Sequence, residues 1–129
     1  MTNPVVKFLY RFKGLRQLAR KVLSNQTISQ PFYTGVICFN AVEFNFFWVN
    51  DASCEKTDKE IQDKLLELSL GRDHFIDIGS NIGIMTLSIA LRNPGISVTA
   101  YDPNKNILGY LNKSISKNKL GSRVTTINA

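Results

Sequence analysis

Apolar residues along the chain change their spacing several times, and each change predicts an element. Val5, Phe8, Leu9, Phe12, Leu15, Leu18 and Val22 fall at three- and four-residue steps, the stripe of an amphipathic helix. Pro4 suits its first turn, and Gly14 weakens the helix without abolishing it. The stretch from Asn25 to Thr34 is polar and contains Pro31, and with Gly35 beyond it reads as a linker. From Val36 the spacing falls to two, through Cys38 and Asn40 and then Val42, Phe44, Phe46 and Trp48. With Asn40-Ala41 as the break, Val36 to Asn50 predicts a hairpin of two short antiparallel strands. Helical spacing returns before Leu70, with Thr57 or Asp58 as N-cap and Ile61, Leu65, Leu66 and Leu68 as the buried stripe. Gly71 is placed to close that helix.

Beyond Gly71 short apolar runs alternate with helical ones. His74 to Ile78 reads as a strand, Ile84 to Leu91 as a helix, and Ile96 to Tyr101 as a second strand. Asn104 to Asn118 carries Ile107, Leu108, Leu111 and Ile115 at helical spacing, ends at Leu120-Gly121, and leads into a third strand, Arg123 to Ile127. Alternation of this kind predicts an α/β, Rossmann-like arrangement with right-handed crossovers and parallel strands in the order 3-2-1. The chain divides accordingly into a basic helix and linker (1–34), a hairpin with a lead-in helix (35–70), and a nucleotide-type unit (71–129).

Candidate chemistry concentrates in Phe75-Ile76-Asp77-Ile78-Gly79-Ser80-Asn81-Ile82-Gly83, a strand ending in an acid, a glycine turn and a helix start. Gly79 can adopt positive φ and has no Cβ to hold a ligand away, Gly83 lets the helix approach the strand, and the helix N-terminus offers amides to an anion. Asp102, at the tip of the next strand, stands where a fold of this kind accepts ribose hydroxyls. The dinucleotide fingerprint G-x-G-x-x-G is not met: Asn81 occupies the place of its second glycine, which disfavours a pyrophosphate. A carboxylate at Asp77 suits a ligand with a cationic region.

With FIDIGSNIG, the helix MTLSIALRN, the strand end YDP and the later SKNKL, the chain resembles the FkbM family of S-adenosylmethionine-dependent methyltransferases from about Gly71 to Ala129. The first motif is common to class I methyltransferases; the narrower resemblance rests on Asn81-x-Gly83, the acid-Pro pair and Asn118. It implies S-adenosyl-L-methionine as cofactor, with Gly79, Ser80, Asn81 and Gly83 at its methionine end, Asp102 on the ribose and Asp77 orienting the turn or the amino group. The implied reaction is O-methylation of a hydroxyl on a glycan or secondary metabolite; no general base or metal ligand is named by the motifs. Asp102 departs from the family's usual Glu. The chain also ends where the third strand of such a fold would be finishing, which implies the front part of a larger enzyme. The first strand would then have an unpaired edge unless the hairpin or another chain covers it.

Charge adds a second theme. The 129 residues carry a formal +6, and Lys7, Arg11, Lys13, Arg16, Arg20 and Lys21 account for all of it, since bases and acids balance from Glu43 onward. A basic helix with an apolar stripe suits an anionic membrane surface, a nucleic acid, a transit signal, or simple packing on the domain. Packing is the default, peripheral membrane contact the next reading, and nucleic acid is not the expected partner. No run spans a bilayer, no secretory leader is evident, and Cys38 and Cys54 have no CxxC partner, so a cytoplasmic protein with reduced thiols and no metal site is expected. His74, the only histidine, lies at the strand end away from the turn, which favours a structural or surface role. Three function classes follow: a methyltransferase with a small-molecule or glycan acceptor, a dinucleotide oxidoreductase disfavoured by the glycine spacing, and a non-catalytic interaction module on a decayed nucleotide fold.

Overall fold

The computed structural model describes residues 18, 21–22, 26–40 and 56–129. Strands β1 (Thr27–Phe32) and β2 (Gly35–Asn40) precede helix α1 (Lys56–Ser69). Then come β3 (His74–Ile78), α2 (Ile84–Arg92), β4 (Ser97–Tyr101), α3 (Lys105–Lys117) and β5 (Val124–Ile127). The last three strands form one parallel sheet in the order β3-β4-β5. Val98, Ala100 and Val124 on one face of this sheet are buried. The opposite face carries His74, Ile76 and Ile78 of β3, and there Ile76 is 57% and Ile78 84% exposed.

The hairpin differs from its sequence expectation. Residues 27–32, expected as linker, are β1, and β1 pairs antiparallel with β2 from Thr27↔Asn40 to Phe32↔Gly35. The division at residue 34/35 therefore falls inside the hairpin's own turn, and the partner of Val36–Asn40 precedes it. The predicted partner over 42–48 lies outside the described residues. Two signals misled. Pro31 suggests a break, yet β1 pairs only with β2 and an edge strand tolerates a missing amide. The turn has no Asn-Gly or Asp-Gly; Tyr33 itself takes the left-handed φ of 51°. That conformation costs a side-chain-bearing residue about 1–2 kcal/mol. Contacts from distant elements offset it: the Tyr33 hydroxyl donates to Gln62 Oε1 at 2.6 Å, and the Arg92 guanidinium lies 4.6 Å from the ring centroid.

The hairpin forms a sheet of its own and packs on α3 and α2, not on the free edge of β3. Helix α3 meets β2 through Tyr110, Ser114 and Asn118, four residues apart. Asn40 Nδ2 donates to Tyr110 Oη at 3.0 Å, Cys38 N to Ser114 Oγ at 2.8 Å and Val36 N to Asn118 Oδ1 at 2.8 Å, while Asn118 Nδ2 returns a bond to Val36 O at 2.6 Å. Four helical residues rise about 6.0 Å and two strand residues about 6.6 Å, so alternate residues of β2 stay in step with successive turns of α3. A buried strand edge is thereby satisfied by side chains. Asn118 thus has a structural part in this chain.

One core runs from Phe32, Ile37 and Phe39 of the hairpin through Leu87, Ile89 and Leu111 of the helices to Val98, Ala100 and Val124 of the sheet. Arg123 closes α2 from outside, donating to the carbonyls of Ala90, Asn93 and Ile96 at 2.9–3.2 Å. In α1, Leu65 and Leu66 pack on the core, but Ile61 (46%) and Leu68 (59%) are exposed, unlike the predicted stripe. Its inward face is more polar than apolar spacing suggests: Gln62 and Ser69 are buried there. Gly71 has φ 71° after α1, as its role as a helix terminator requires. Of the predicted N-terminal stripe, Leu18 and Val22 are described; both are helical and more than half exposed. Cys38 is buried and free; Cys54 lies outside the described residues. Among the described residues no helix is long and apolar enough to cross a membrane, and no His/Cys/Asp/Glu cluster could hold a metal.

Candidate functional site

Asp77, the turn 79–83 and Asp102 come together at the carboxyl ends of the adjacent parallel strands β3 and β4, where an open α/β sheet binds its ligands. Each part is fixed by an identifiable bond. Asp77, next to last in β3, accepts at Oδ2 from both Thr86 N (3.1 Å) and Thr86 Oγ1 (2.6 Å), so it anchors the first turn of α2. Asp77 thus ties the end of β3 to the start of α2.

The two glycines act differently. Gly79 has φ 77°, and a Cβ there would meet nothing within 4 Å, so its face is open to a ligand. Gly83, at φ 88° the N-cap of α2, has Leu111 directly against it: a Cβ would overlap Leu111 Cδ1 and lie 3.1 Å from Cδ2. Gly83 therefore permits both a left-handed cap and the close approach of α2 to α3. Asn81 is left-handed as well, at φ 53°, and its Oδ1 accepts from the next amide, Ile82 N, at 2.7 Å.

The amides within the turn are bonded inside the protein, whereas those of Ile84 and Met85, which open α2, have no partner among the described residues, as expected of a helix N-terminus. Gly79 N and Ser80 N both donate to Tyr101 O at 2.9 Å, and Gly83 N donates to Ser80 O at 2.8 Å. Ile82 N is taken by Asn81, and Asn81 N donates to Asp102 Oδ2 at 2.8 Å. Alternating left-handed residues make a concavity suited to an anion, and here the chain's own carboxylate lies against it.

Asp102 is 7% exposed and holds several segments at once. Oδ1 accepts from Asn104 N at 2.8 Å, its amide donates to Ile127 O at 3.1 Å, and its carbonyl accepts from Asn128 Nδ2 at 2.9 Å. Asn104 in turn caps α3, accepting from Asn106 N and Ile107 N. An ionised carboxylate has about four acceptor sites, so two used by backbone amides leave capacity for two hydroxyls. Two buried hydroxyls among the described residues have no hydrogen-bond partner, Ser80 Oγ and Ser88 Oγ; of these only Ser80 belongs to the turn. What the site offers a ligand is therefore two carboxylates, a serine hydroxyl that can donate or accept, and the free Ile84 and Met85 amides of α2, beside a glycine with open space. His74 is remote from it at the start of β3, exposed, with Nε2 3.0 Å from Thr99 Oγ1.

No family model and no curated protein matches the chain. Solved structures do. TYW2 of M. jannaschii in complex with AdoMet superposes with a TM-score of 0.63 at 19% identity, over 80% of this chain and 43% of that one. The SAM-dependent methyltransferase of Agrobacterium tumefaciens gives 0.59 at 14%, over 81% and 32%. The tRNA (uracil-54, C5)-methyltransferase of Pyrococcus abyssi, in complex with S-adenosyl-L-homocysteine, gives 0.55 at 16%, over 80% and 24%. The fold is thus the Rossmann-like fold of S-adenosylmethionine-dependent methyltransferases, present in part: the chain spans less than half the length of each of these structures.

Proposed function

We propose that the chain forms the cofactor-binding portion of an S-adenosylmethionine-dependent methyltransferase. The observation that carries this reading is the glycine turn, whose every amide from Gly79 to Gly83 is bonded within the protein. Within the turn a pyrophosphate would find no free amide and would meet the Asp102 charge, which argues against a dinucleotide enzyme. A ligand with an amino group, a sulfonium and two ribose hydroxyls brings donors and positive charge to a site with two carboxylates, so the residues present fit it. Asp102 would take the ribose hydroxyls on its remaining lone pairs, Gly79 would leave room for the ligand, and Ser80 and Asp77 would face its methionine end. When bound, this cofactor supplies a methyl group already activated for displacement, and the protein's task is then alignment more than covalent catalysis.

The fold neighbours include a tRNA (uracil-54, C5)-methyltransferase and a coclaurine N-methyltransferase, so the acceptor differs among them. The motif resemblance to the FkbM family supports an oxygen acceptor on a glycan or secondary metabolite for this chain. Calorimetric titration with S-adenosylhomocysteine, NAD and 5′-AMP tests the cofactor reading. Binding of S-adenosylhomocysteine alone is expected; NAD binding of equal strength, or no binding of S-adenosylhomocysteine by a folded chain, would overturn it.

Peripheral membrane contact is a separate reading for the basic segment, favoured by the exposure of Leu18 and Val22, four residues apart on one helical face beside Lys21. Sedimentation with anionic and neutral vesicles tests it; equal recovery with both would remove it.

A further inference from the structure

The acid at position 102 does something that ribose binding does not require. Asn81 is the one residue with a Cβ among the three left-handed positions of the turn, Gly79, Asn81 and Gly83. Its side chain serves only the neighbouring Ile82 amide, so the bond from Asn81 N to Asp102 Oδ2 is what ties this residue to another element. Asp102 is itself held from the β5 side by Ile127 and Asn128 and from the α3 side by Asn104. The carboxylate therefore joins the ligand turn to the ends of β4 and β5 and to the start of α3.

We infer that Asp102 is a positioning residue for the glycine turn: by fixing the Asn81 amide it sets the turn for ligand groups that never touch its carboxylate. A Glu would carry its carboxylate one methylene farther from the backbone, which favours reaching a ribose over closing this short contact. The Asp in this chain favours the contact. The inference uses the S-adenosylmethionine reading only to choose a probe.

Two measurements on the 129-residue chain separate positioning from ribose binding alone. The first compares S-adenosylhomocysteine with its 2′,3′-dideoxy analogue on the wild type and on Asp102→Ala. Loss of a charge-assisted bond that orders the turn is expected to weaken both ligands, by roughly tenfold or more. A loss confined to the hydroxyl-bearing ligand would overturn the inference. The second needs no ligand: amide hydrogen exchange at Asn81 and Asn104 should accelerate in Asp102→Ala while the amides of β4 remain protected. Unchanged exchange at Asn81 would overturn the inference, even if neither ligand bound and the cofactor reading had failed. Should Asp102→Ala not fold, a trans-hydrogen-bond scalar coupling from Asn81 N to the Asp102 carboxylate carbon in the wild type decides the point, and its absence counts against the proposal.

Discussion

Gly83→Ala separates two effects that a glycine in this motif combines. The first is conformational: at φ 88° a residue with a Cβ is strained by about 1–2 kcal/mol. The second is steric. The added methyl would overlap Leu111 Cδ1, and Leu111 is fully buried in the core, so neither it nor α2 can yield freely. Overpacking of this kind costs about 1–3 kcal/mol, giving a combined loss of about 2–5 kcal/mol. Gly79→Ala is the internal control, because at φ 77° it bears the conformational cost but meets nothing within 4 Å. It should lose only about 1–2 kcal/mol. Urea denaturation, with midpoints compared at constant slope, reads the difference. A double-mutant cycle with Leu111→Ala then isolates the overlap. Leu111→Ala alone should cost about 2–5 kcal/mol, and adding Gly83→Ala to it should cost less than Gly83→Ala costs in the wild type. If Gly83→Ala proves no worse than Gly79→Ala, or the cycle is strictly additive, the α2–α3 contact is not why position 83 is glycine.

Other expectations concern the contacts that join the elements. Ser114→Ala leaves the buried Cys38 amide without its acceptor and should cost about 1–3 kcal/mol, whereas Ser116→Ala, on the exposed side of α3, should be nearly neutral; thermal melts distinguish them. Arg123→Met removes donors from the Ala90 and Asn93 carbonyls at the end of α2 and from the Ile96 carbonyl before β4, and should likewise cost about 1–3 kcal/mol, with the amides of α2's last turn exchanging faster. Asp63 is held below its ordinary value of 3.8 chiefly by the hydrogen bond from Arg92, with Lys59 adding to it and desolvation opposing. A carboxylate lowered on folding stabilises above its unfolded pKa and loses that contribution as pH falls through the folded one. The wild type should therefore lose more stability than Asp63→Asn between pH 6 and pH 3; equal acid sensitivity of the two would refute this coupling.

The hairpin and the site show where sequence reading succeeds and where it stops. The segment from His74 to Arg92 was legible because its signals are local: a short apolar run, an acid, turn residues, then helical spacing. The helix ending at Lys117 was legible for the same reason, and Asn104 stands at its start as a strong cap. The strand Thr27–Phe32 was not legible, because the contacts that hold Tyr33 left-handed come from Gln62 and Arg92, 29 and 59 residues away. Ile61 and Leu68 were misplaced because apolar spacing gives a face without saying what covers it.

The sequence by itself determined the strand–turn–helix, the two acids at strand ends, and a glycine spacing unsuited to a dinucleotide, since all of these are set by neighbouring residues and backbone sterics. Only the tertiary structure decided how those parts are used. It spends the turn's amides on Tyr101 and Asp102, presses Gly83 against Leu111, leaves Gly79 open, and docks the hairpin along α3. Such outcomes depend on distances between residues far apart in the chain, and no local pattern encodes which donor will meet which acceptor once the helices have packed.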